Sequence, residues 1–272
     1  MGKVDIDAYF ERIGFAGSIA PNLETLQQLH ALHPAAIPFE NLDPLLGVPV
    51  RLETGNLQQK LLFEKRGGYC LEQNLLFKAM LEDLDFPVRG LGAKVLWGPT
   101  AAPDRPATHM VLAVEVAGVP YLADVGFGGL TLTTPLRLRA DVEQESHGIQ
   151  YRLLGGTPEW VLEARIGEDW RPLYSFETVP RSFADFQVMS DFVSAESQFR
   201  DQLLVARTDR GRRYGLWNGR FNTYTVGAPT ETRMISSVAE LKEVLTGVFG
   251  IALPNSDRLD DALEAARQRD PG

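Results

Sequence analysis

The sequence contains a single cysteine among 272 residues, so no disulfide can form within the chain and the fold must be stable without one. It also lacks long hydrophobic runs. No apolar stretch approaches the ~18 residues that a membrane span requires, and the N-terminal residues have neither the apolar core nor the small-residue cleavage site of a signal peptide. These features predict a protein of the reducing cytoplasm that does not associate with a membrane.

Basic residues are in the minority, with 27 Lys and Arg against 36 Asp and Glu and a formal net charge of −9. Nucleic-acid binding depends on basic side chains that neutralise phosphates, so this balance argues against a nucleic-acid partner. One basic cluster, formed by Arg207, Arg210, Arg212 and Arg213, could bind a phosphorylated small molecule. A solvated basic turn is the favoured interpretation of this cluster.

The hydrophobic period changes twice along the chain. Residues 1 to about 85 have the spacing of helices. From about 88 to 190 the period falls to two, and the short segments are separated by glycine and proline, which predicts an antiparallel sheet or a small barrel. The last third mixes both patterns, and Ser237 with Glu240 forms a predicted capping box ahead of a helix.

One helix is predicted to begin near Cys70, directly after a glycine pair that suits a tight entry. Glu72, Asn74 and Lys78 lie off its apolar stripe. The stripe itself consists of Leu71, Leu75, Leu76, Ala79 and Met80.

Cys70 is a candidate nucleophile because of this position. A free cysteine is more often a small buried hydrophobic residue, but a helix N-terminus stabilises an anion such as a thiolate. Arg66 lies one turn upstream and could add positive charge, although Glu40 or Glu72 could pair with it. A thiolate is the nucleophile that acyl transfer through a cysteine needs.

A nucleophile also needs a base, and the chain has four histidines. His30 and His33 lack a second pair of zinc ligands and are expected to be surface or core residues. His147 lies in a polar run that predicts a solvent-facing turn. His109 opens an apolar strand, where a scaffold exposes catalytic groups, so it is the candidate base, although a structural histidine is the commoner case.

Asp124 is a charged residue within an otherwise apolar strand, and a buried carboxylate requires a partner such as an imidazole. If the hairpin closes on Gly118 and Val119, Asp124 pairs near Ala113. That position is on the same face as His109 but four residues away, or ~13 Å along the strand. Contact between the two side chains would need a bulge, a register offset or a bend.

Four motifs follow in an order that resembles the arylamine N-acetyltransferase family over nearly the whole chain. They are Pro38-Phe39-Glu40-Asn41-Leu42, Arg66-Gly67-Gly68-Tyr69-Cys70-Leu71-Glu72-Gln73-Asn74, Thr108-His109-Met110 and Asp124-Val125-Gly126-Phe127-Gly128. The resemblance implies an α+β fold with an N-terminal helical bundle, a central antiparallel β-barrel and a C-terminal α/β lid around a cysteine-protease-like catalytic core. The corresponding segments are 1–87, which carries the nucleophile, 88–195, which carries the histidine and the aspartate, and 196–272.

The resemblance also implies an activity: acetyl-coenzyme A-dependent transfer, by a ping-pong mechanism and without a metal, to an arylamine, hydrazine or arylhydroxylamine. Cys70 would be the nucleophile, His109 its base and Asp124 the residue that orients the base. The other residues implied are Phe39 and Phe127 as an aromatic wall for the amine, Thr108 and Gly128 beside the pantetheine arm, and Glu40 with Arg66 as a buried pair that holds Cys70.

Three alternatives remain open at this stage. An amide synthase of polyketide biosynthesis uses the same three residues with an acyl group from a carrier protein. A cysteine peptidase or a transglutaminase-like enzyme uses the same residue types with water or a peptide amine as acceptor. A module that binds coenzyme A or an aromatic ligand would leave Cys70 merely buried. Neither the physiological amine nor the oligomeric state follows from the sequence.

Overall fold

The chain starts with helices, continues with a long antiparallel sheet and ends with a second sheet flanked by short helices, in the computed structural model that describes residues 2–98, 106–209 and 211–269. The α-helices are α1 Ile6–Ile13, α2 Leu23–Ala36, α3 Leu42–Leu46, α4 Thr54–Gln58, α5 Cys70–Asp83, α6 Phe183–Glu196, α7 Val238–Glu243 and α8 Leu259–Arg267. Two π-helical segments, Gln59–Phe63 and Val244–Val248, continue α4 and α7, and Gln198–Arg200 forms a short 3-10 helix. The strands are β1 Phe39–Glu40, β2 Val88–Val95, β3 His109–Val116, β4 Val119–Ala123, β5 Leu136–Arg137, β6 Glu143–Ser146, β7 Ile149–Gly155, β8 Glu159–Ile166, β9 Asp169–Pro180, β10 Leu204–Asp209, β11 Arg212–Trp217, β12 Arg220–Thr225 and β13 Glu231–Met234.

The predicted helix at Cys70 is confirmed as α5, and it is buried on nearly all sides. Glu72 and Asn74, which lie off the apolar stripe, are also buried, so the stripe does not mark the only packed face of this helix. The reason is that α5 packs against α4, β2 and β3. Asn74 binds the carbonyl of Met110 in β3, and Glu72 binds the amide of Tyr69 and the ammonium of Lys60. Lys78 alone of the three reaches solvent, where it pairs with Glu82.

The central sheet has eight antiparallel strands in the order β5-β4-β3-β2-β9-β8-β7-β6 and curves into a nearly closed barrel. Its interior is filled by residues at alternate strand positions, as a half-buried strand requires. This hydrophobic core includes Leu91, Val111, Leu153, Leu162 and Leu173. The predicted β-rich central region is therefore confirmed as far as Pro180, but its last part is wrong, because residues 183–190 belong to α6.

The second sheet has the order β1-β10-β11-β12-β13, so its first strand comes from the N-terminal part of the chain. Phe39 pairs with Ala206 on one side and forms an isolated bridge with Gly68 of the glycine pair on the other, so β1 joins the entry of α5 to the C-terminal sheet. The hydrophobic core beneath the sheet is formed with α7 and α8, as in the predicted α/β lid. The boundaries at 87 and 195 stay predictions.

Among the described residues, none of the helices combines the length and the apolar character of a membrane span. The capping box predicted at the start of α7 is half correct. Ser237 Oγ accepts the amide N–H of Glu240, but the Glu240 carboxylate accepts from Ser236 instead of Ser237.

Candidate active site

Cys70 is the first residue of α5 and is 5% exposed. Two glycines allow the backbone to pack closely around the start of α5. A Cβ on Gly67 would lie 2.2 Å from the carbonyl oxygen of Pro38, and a Cβ on Gly126 would lie 2.9 Å from the Cα of Cys70. Only glycine can occupy positions with so little space. The Cys70 sulfur lies 3.7 Å from the carbonyl oxygen of Thr108, the residue before β3.

The hairpin between β3 and β4 places His109 and Asp124 in contact. Its turn consists of Ala117 and Gly118, both with positive φ, as in a two-residue type I′ turn. The prediction that the hairpin closes on Gly118 and Val119 is therefore wrong. Val116 pairs with Val119, so the position of Asp124 falls two residues from His109 along β3 instead of four.

The separation of ~13 Å expected for His109 and Asp124 is consequently too large. Pairing of β4 ends at Ala123, which lets Asp124 leave the strand ladder. Nε2 of His109 donates to Oδ2 of Asp124 at 2.7 Å, and both residues are buried. Because Nε2 is engaged by the carboxylate, Nδ1 is the ring nitrogen that remains for the sulfur.

Burial and charge act in opposite directions on this pair. Burial lowers the pKa of His109, but the Asp124 carboxylate, and to a smaller extent a hydrogen bond and the charge of Cys70, raise that pKa to about 10. Burial likewise raises the pKa of Asp124, but His109, Asn74 and the amide of Gly126 together hold it below its ordinary value. The pair is therefore an imidazolium and a carboxylate at neutral pH.

The Asp124 carboxylate is held by more than the imidazole. Nδ2 of Asn74 donates to Asp124 Oδ1 at 3.0 Å and to the carbonyl of Met110 at 2.8 Å, so one side chain of α5 binds both the β3 strand and Asp124. The amide of Gly126 also donates to Oδ1. Asn74 lies four residues after Cys70 on α5 and therefore links the helix of the thiol to Asp124 and to β3, the strand that begins at His109. The sequence did not reveal this link, although Asn74 lies within a family motif.

A second group of charges lies near the start of α5, and we call Glu40, Asp43, Lys60, Arg66 and Glu72 the charged layer. Arg66 Nη2 lies 2.8 Å from both Glu40 and Asp43. Lys60 Nζ lies 2.6 Å from Asp43 and 2.7 Å from Glu72. Of the two carboxylates expected to compete for Arg66, Glu40 therefore binds it and Glu72 does not.

Glu72 instead closes the N-terminus of α5, because its carboxylate accepts the amide N–H of Tyr69 at 3.0 Å. Burial raises the pKa of Glu72 to about 7, although Lys60 opposes the shift. Burial would lower the pKa of Lys60, but Glu72, Glu40 and Asp43 outweigh it and raise that pKa above its ordinary value. The layer thus joins the entry of α5 to the π-helical segment Gln59–Phe63, which carries Lys60.

A cleft of about 1190 Å³ opens above Cys70, between the barrel and the C-terminal sheet. The six residues Cys70, His109, Phe39, Thr108, Phe127 and Gly128, all of them sequence-predicted site residues, line it. Its walls also include Phe199, which packs edge-on against Phe39 at 6.0 Å between ring centroids. Phe127 packs against His109 at 5.2 Å and against Tyr174 at 5.1 Å. Phe199 and Tyr174 were not predicted, because neither lies in a recognisable motif.

The basic cluster is not a solvated turn, and this prediction is corrected. Arg213 is buried and its Nη1 donates to the carbonyls of Gly129 and Thr131. Arg207 donates to the carbonyls of Ala35 and Val248. Arg212 is exposed at the rim of the cleft, and Arg210 lies outside the described residues.

The solvent exposure of the remaining histidines agrees with the expectation from the sequence. His147 lies in an exposed turn, and His30 and His33 are fully buried in α2. Within residues 2–98, 106–209 and 211–269, no group of three or more His, Cys, Asp or Glu side chains is arranged to hold a metal ion.

Comparison with known proteins identifies the family. A family model described as N-acetyltransferase matches residues 22–258. Two relatives named arylamine N-acetyltransferase align over 256 residues. The one from Escherichia coli (strain K12) is 40% identical over 92% of this chain and 90% of its own length, and the one from Mycolicibacterium smegmatis is 41% identical over 92% and 93%. The solved structure of Mycobacterium marinum arylamine N-acetyltransferase in complex with CoA has a TM-score of 0.90 and 38% identity over 95% of this chain and 98% of that one. The chain therefore belongs to the arylamine N-acetyltransferase family.

Proposed function

We propose that this protein transfers an acetyl group from acetyl-coenzyme A to an arylamine, hydrazine or arylhydroxylamine through a thioester on Cys70. One observation carries the proposal: the only thiol of the chain lies at a helix N-terminus, at the base of a large cleft, beside a buried His109–Asp124 pair. A nucleophile, a base and a group that orients the base are the parts that such a transfer needs.

The cleft suits the donor. A coenzyme A complex is known for the Mycobacterium marinum relative, and the cleft of this chain extends from the thiol to a rim that carries cationic side chains. Arg165, Arg212 and Arg220 line it, in a protein whose net charge is −9. Guanidinium groups bind phosphate oxygens well. We assign these three residues to the phosphates and Thr108 with Gly128 to the pantetheine arm.

In the first half-reaction, the Cys70 sulfur forms a bond to the acetyl carbon while the thioester carbon–sulfur bond breaks. His109 begins as an imidazolium and gives its proton to the departing thiolate, so the products are acetyl-Cys70, neutral His109 and free coenzyme A. Amide N–H groups of the first turn of α5, including that of Cys70, stabilise the oxyanion that develops on the acetyl carbonyl.

In the second half-reaction, the amine nitrogen bonds to the acetyl carbon and the bond to the Cys70 sulfur breaks. The nitrogen loses one proton, which His109 accepts, so the thiolate and the imidazolium are restored. The amine has to outcompete water at the acetyl-enzyme. The aromatic wall of Phe39, Phe127 and Phe199 favours a flat apolar acceptor over water at this position.

Mass spectrometry of the intact protein and its peptides tests the proposal directly. After treatment with acetyl-coenzyme A and no acceptor, we expect one acetyl group on the peptide that contains Cys70. Addition of an arylamine should remove it, and initial rates should follow ping-pong kinetics. Absence of acetylated Cys70 would contradict the scheme.

Replacement of the nucleophile provides the second measurement. Cys70→Ser should lower turnover by at least about 10³-fold, because a hydroxyl is far less ionised than a thiol near neutral pH. The variant should keep the wild-type melting temperature, since the two side chains differ by one atom. Turnover by folded Cys70→Ser at a rate close to that of the wild type would exclude the thioester route.

A further inference from the structure

The segment that follows β4 is held entirely by side chains. Strand pairing ends at Ala123, so the next amides have no ladder partners. Val125 donates to Oδ1 of Asn74, Gly126 to Oδ1 of Asp124, and Phe127 to Oγ1 of Thr131. The amide of Asp124 itself has a more distant partner, because it donates to Nε2 of a histidine on α2, His30, at 3.0 Å.

This contact specifies the chemical state of His30. A backbone amide can only donate, so Nε2 must be unprotonated and the proton of a neutral imidazole must reside on Nδ1. Burial lowers the pKa of His30 to about 4, although the nearby Asp124 carboxylate opposes this shift. The side chain is fully buried and packs edge-on against Phe77 with 5.7 Å between ring centroids. Nδ1 has no hydrogen-bond partner among the described residues.

A second histidine of α2 provides an internal contrast. His33 is equally buried, and its ring also packs against Phe77. It accepts from the hydroxyl of Tyr9 through Nδ1 and donates through Nε2 to Oε1 of Gln73. His33 is therefore the opposite tautomer of His30 and makes no contact with Asp124.

We propose that His30 is a positioning residue for acetyl transfer: as the Nδ1–H tautomer it holds the backbone of Asp124, so that the carboxylate meets His109. Asn74 holds the same residue by its carboxylate, and His30 holds it by its amide. Two helices, α2 and α5, thus set the position of one aspartate. The inference rests on the proposed function for its effect on turnover, but the geometric effect on Cys70 and His109 is independent of it.

A matched pair of variants tests the hydrogen bond. His30→Gln keeps an acceptor, Oε1, near the position of Nε2, whereas His30→Leu remains apolar and buried but removes the acceptor and leaves the amide of Asp124 unpaired. We expect His30→Leu to lower kcat on the order of tenfold to hundredfold, with the KM for acetyl-coenzyme A nearly unchanged. His30→Gln should remain within about threefold of the wild type.

The pH profile of Cys70 alkylation by iodoacetamide separates positioning from mere packing. His30→Leu should shift the profile, because a displaced Asp124 no longer holds His109 as an imidazolium beside the sulfur. The control is His33→Leu, which also loses buried imidazole hydrogen bonds in α2. It should lower the melting temperature and leave the profile in place.

Three results would overturn the proposal: a wild-type profile and kcat for folded His30→Leu, equal damage in His30→Gln, or an equal shift in His33→Leu. If the wild-type protein never acetylates Cys70, the proposed function fails, and the alkylation profiles still decide the role of His30.

Nitrogen-15 spectra of the imidazoles in the wild-type chain decide the matter even if His30→Leu fails to fold. His30 should be neutral from about pH 5 to 9 and in the Nδ1–H form, whereas His33 should be neutral and in the Nε2–H form. An Nε2–H tautomer or an imidazolium at His30 would exclude the hydrogen bond on which the proposal depends.

Discussion

Two groups of buried charge meet helix α5, and they differ in their surroundings. The charged layer contains three carboxylates and two cations, in close pairs. The other group is the single pair of His109 and Asp124, of which His109 lines the cleft together with the thiol. Both shift pKa values strongly. Perturbed ionisation therefore does not by itself distinguish a scaffold from a reactive site.

What separates the two groups is their neighbours. Among the described residues, no member of the charged layer lines the cleft, and one member, Glu72, closes the entry of α5 by accepting the amide N–H of Tyr69. The His109–Asp124 pair adjoins a thiol, an aromatic wall and a space large enough for a ligand. Substitutions in the charged layer should consequently lower the free energy of unfolding, and substitutions in the His109–Asp124 pair should lower turnover.

The largest effect is expected at the pair. Asp124→Asn keeps the size of the side chain but removes the charge that holds His109 as an imidazolium and sets its tautomer. Turnover should fall by about 10³- to 10⁴-fold, measured as the release of free coenzyme A with an arylamine. The comparison between the two regions fails if folded Asp124→Asn retains most of the wild-type turnover.

A substitution in the charged layer should lower the stability of the protein. Lys60→Met removes the cation between Asp43 and Glu72, so the buried Glu72 loses its charged partner and Asp43 keeps only Arg66, at a cost of about 3–5 kcal/mol of unfolding free energy. Chemical denaturation measures this cost, and turnover per folded molecule should stay within a few-fold of the wild type.

The matched control for this experiment is Lys78→Met, on the solvent side of α5. Lys78 pairs with the exposed Glu82 four residues later, and such pairs contribute about 0–1 kcal/mol. Equal destabilisation by Lys60→Met and Lys78→Met would show that the layer is no more important than a surface ion pair.

Stability should also depend on pH through the His109–Asp124 pair. Because the pKa of His109 is raised to about 10 in the folded state, its contribution is complete below the unfolded value of about 6.5 and is lost as the pH rises through the folded value. Asp124, whose pKa is lowered, contributes above its unfolded value and loses that contribution as the pH falls.

The stability difference between the wild type and Asp124→Asn should therefore be greatest between about pH 4 and 6.5 and should shrink towards alkaline pH. Denaturation curves at several pH values measure it. A difference that grows steadily towards pH 10 would have the wrong sign for a raised histidine pKa.

Local patterns predicted the secondary structure around the site well. The start of α5 at Cys70 follows from a glycine pair and an apolar period, and both are properties of neighbouring residues. The family motifs brought His109 and Asp124 into consideration, yet the hairpin register derived from spacing was wrong by two residues along β3. The observed turn, Ala117 and Gly118, is shifted by one position from the expected Gly118 and Val119. Both turns contain Gly118, and periodicity does not distinguish them.

Partners over long sequence separations could not be predicted in this way. His30 and Asp124 are 94 positions apart, and Asn74 and Asp124 are 50 apart. Arg213 was expected in solvent and instead binds carbonyls more than eighty residues away. A charged or polar residue has several potential partners along the chain, and burial decides among them only after the helices and sheets have packed.

The sequence by itself determined the order of elements, the helix that begins at the single thiol and the family to which the chain belongs, because these depend on short-range periodicity, turn chemistry and contiguous motifs. The tertiary structure decided which carboxylate binds Arg66, how Asp124 reaches His109 and which tautomer His30 adopts. The physical reason is that a buried donor or charge must find its partner in space, and that partner is set by the packing of α2, α5 and the barrel against one another.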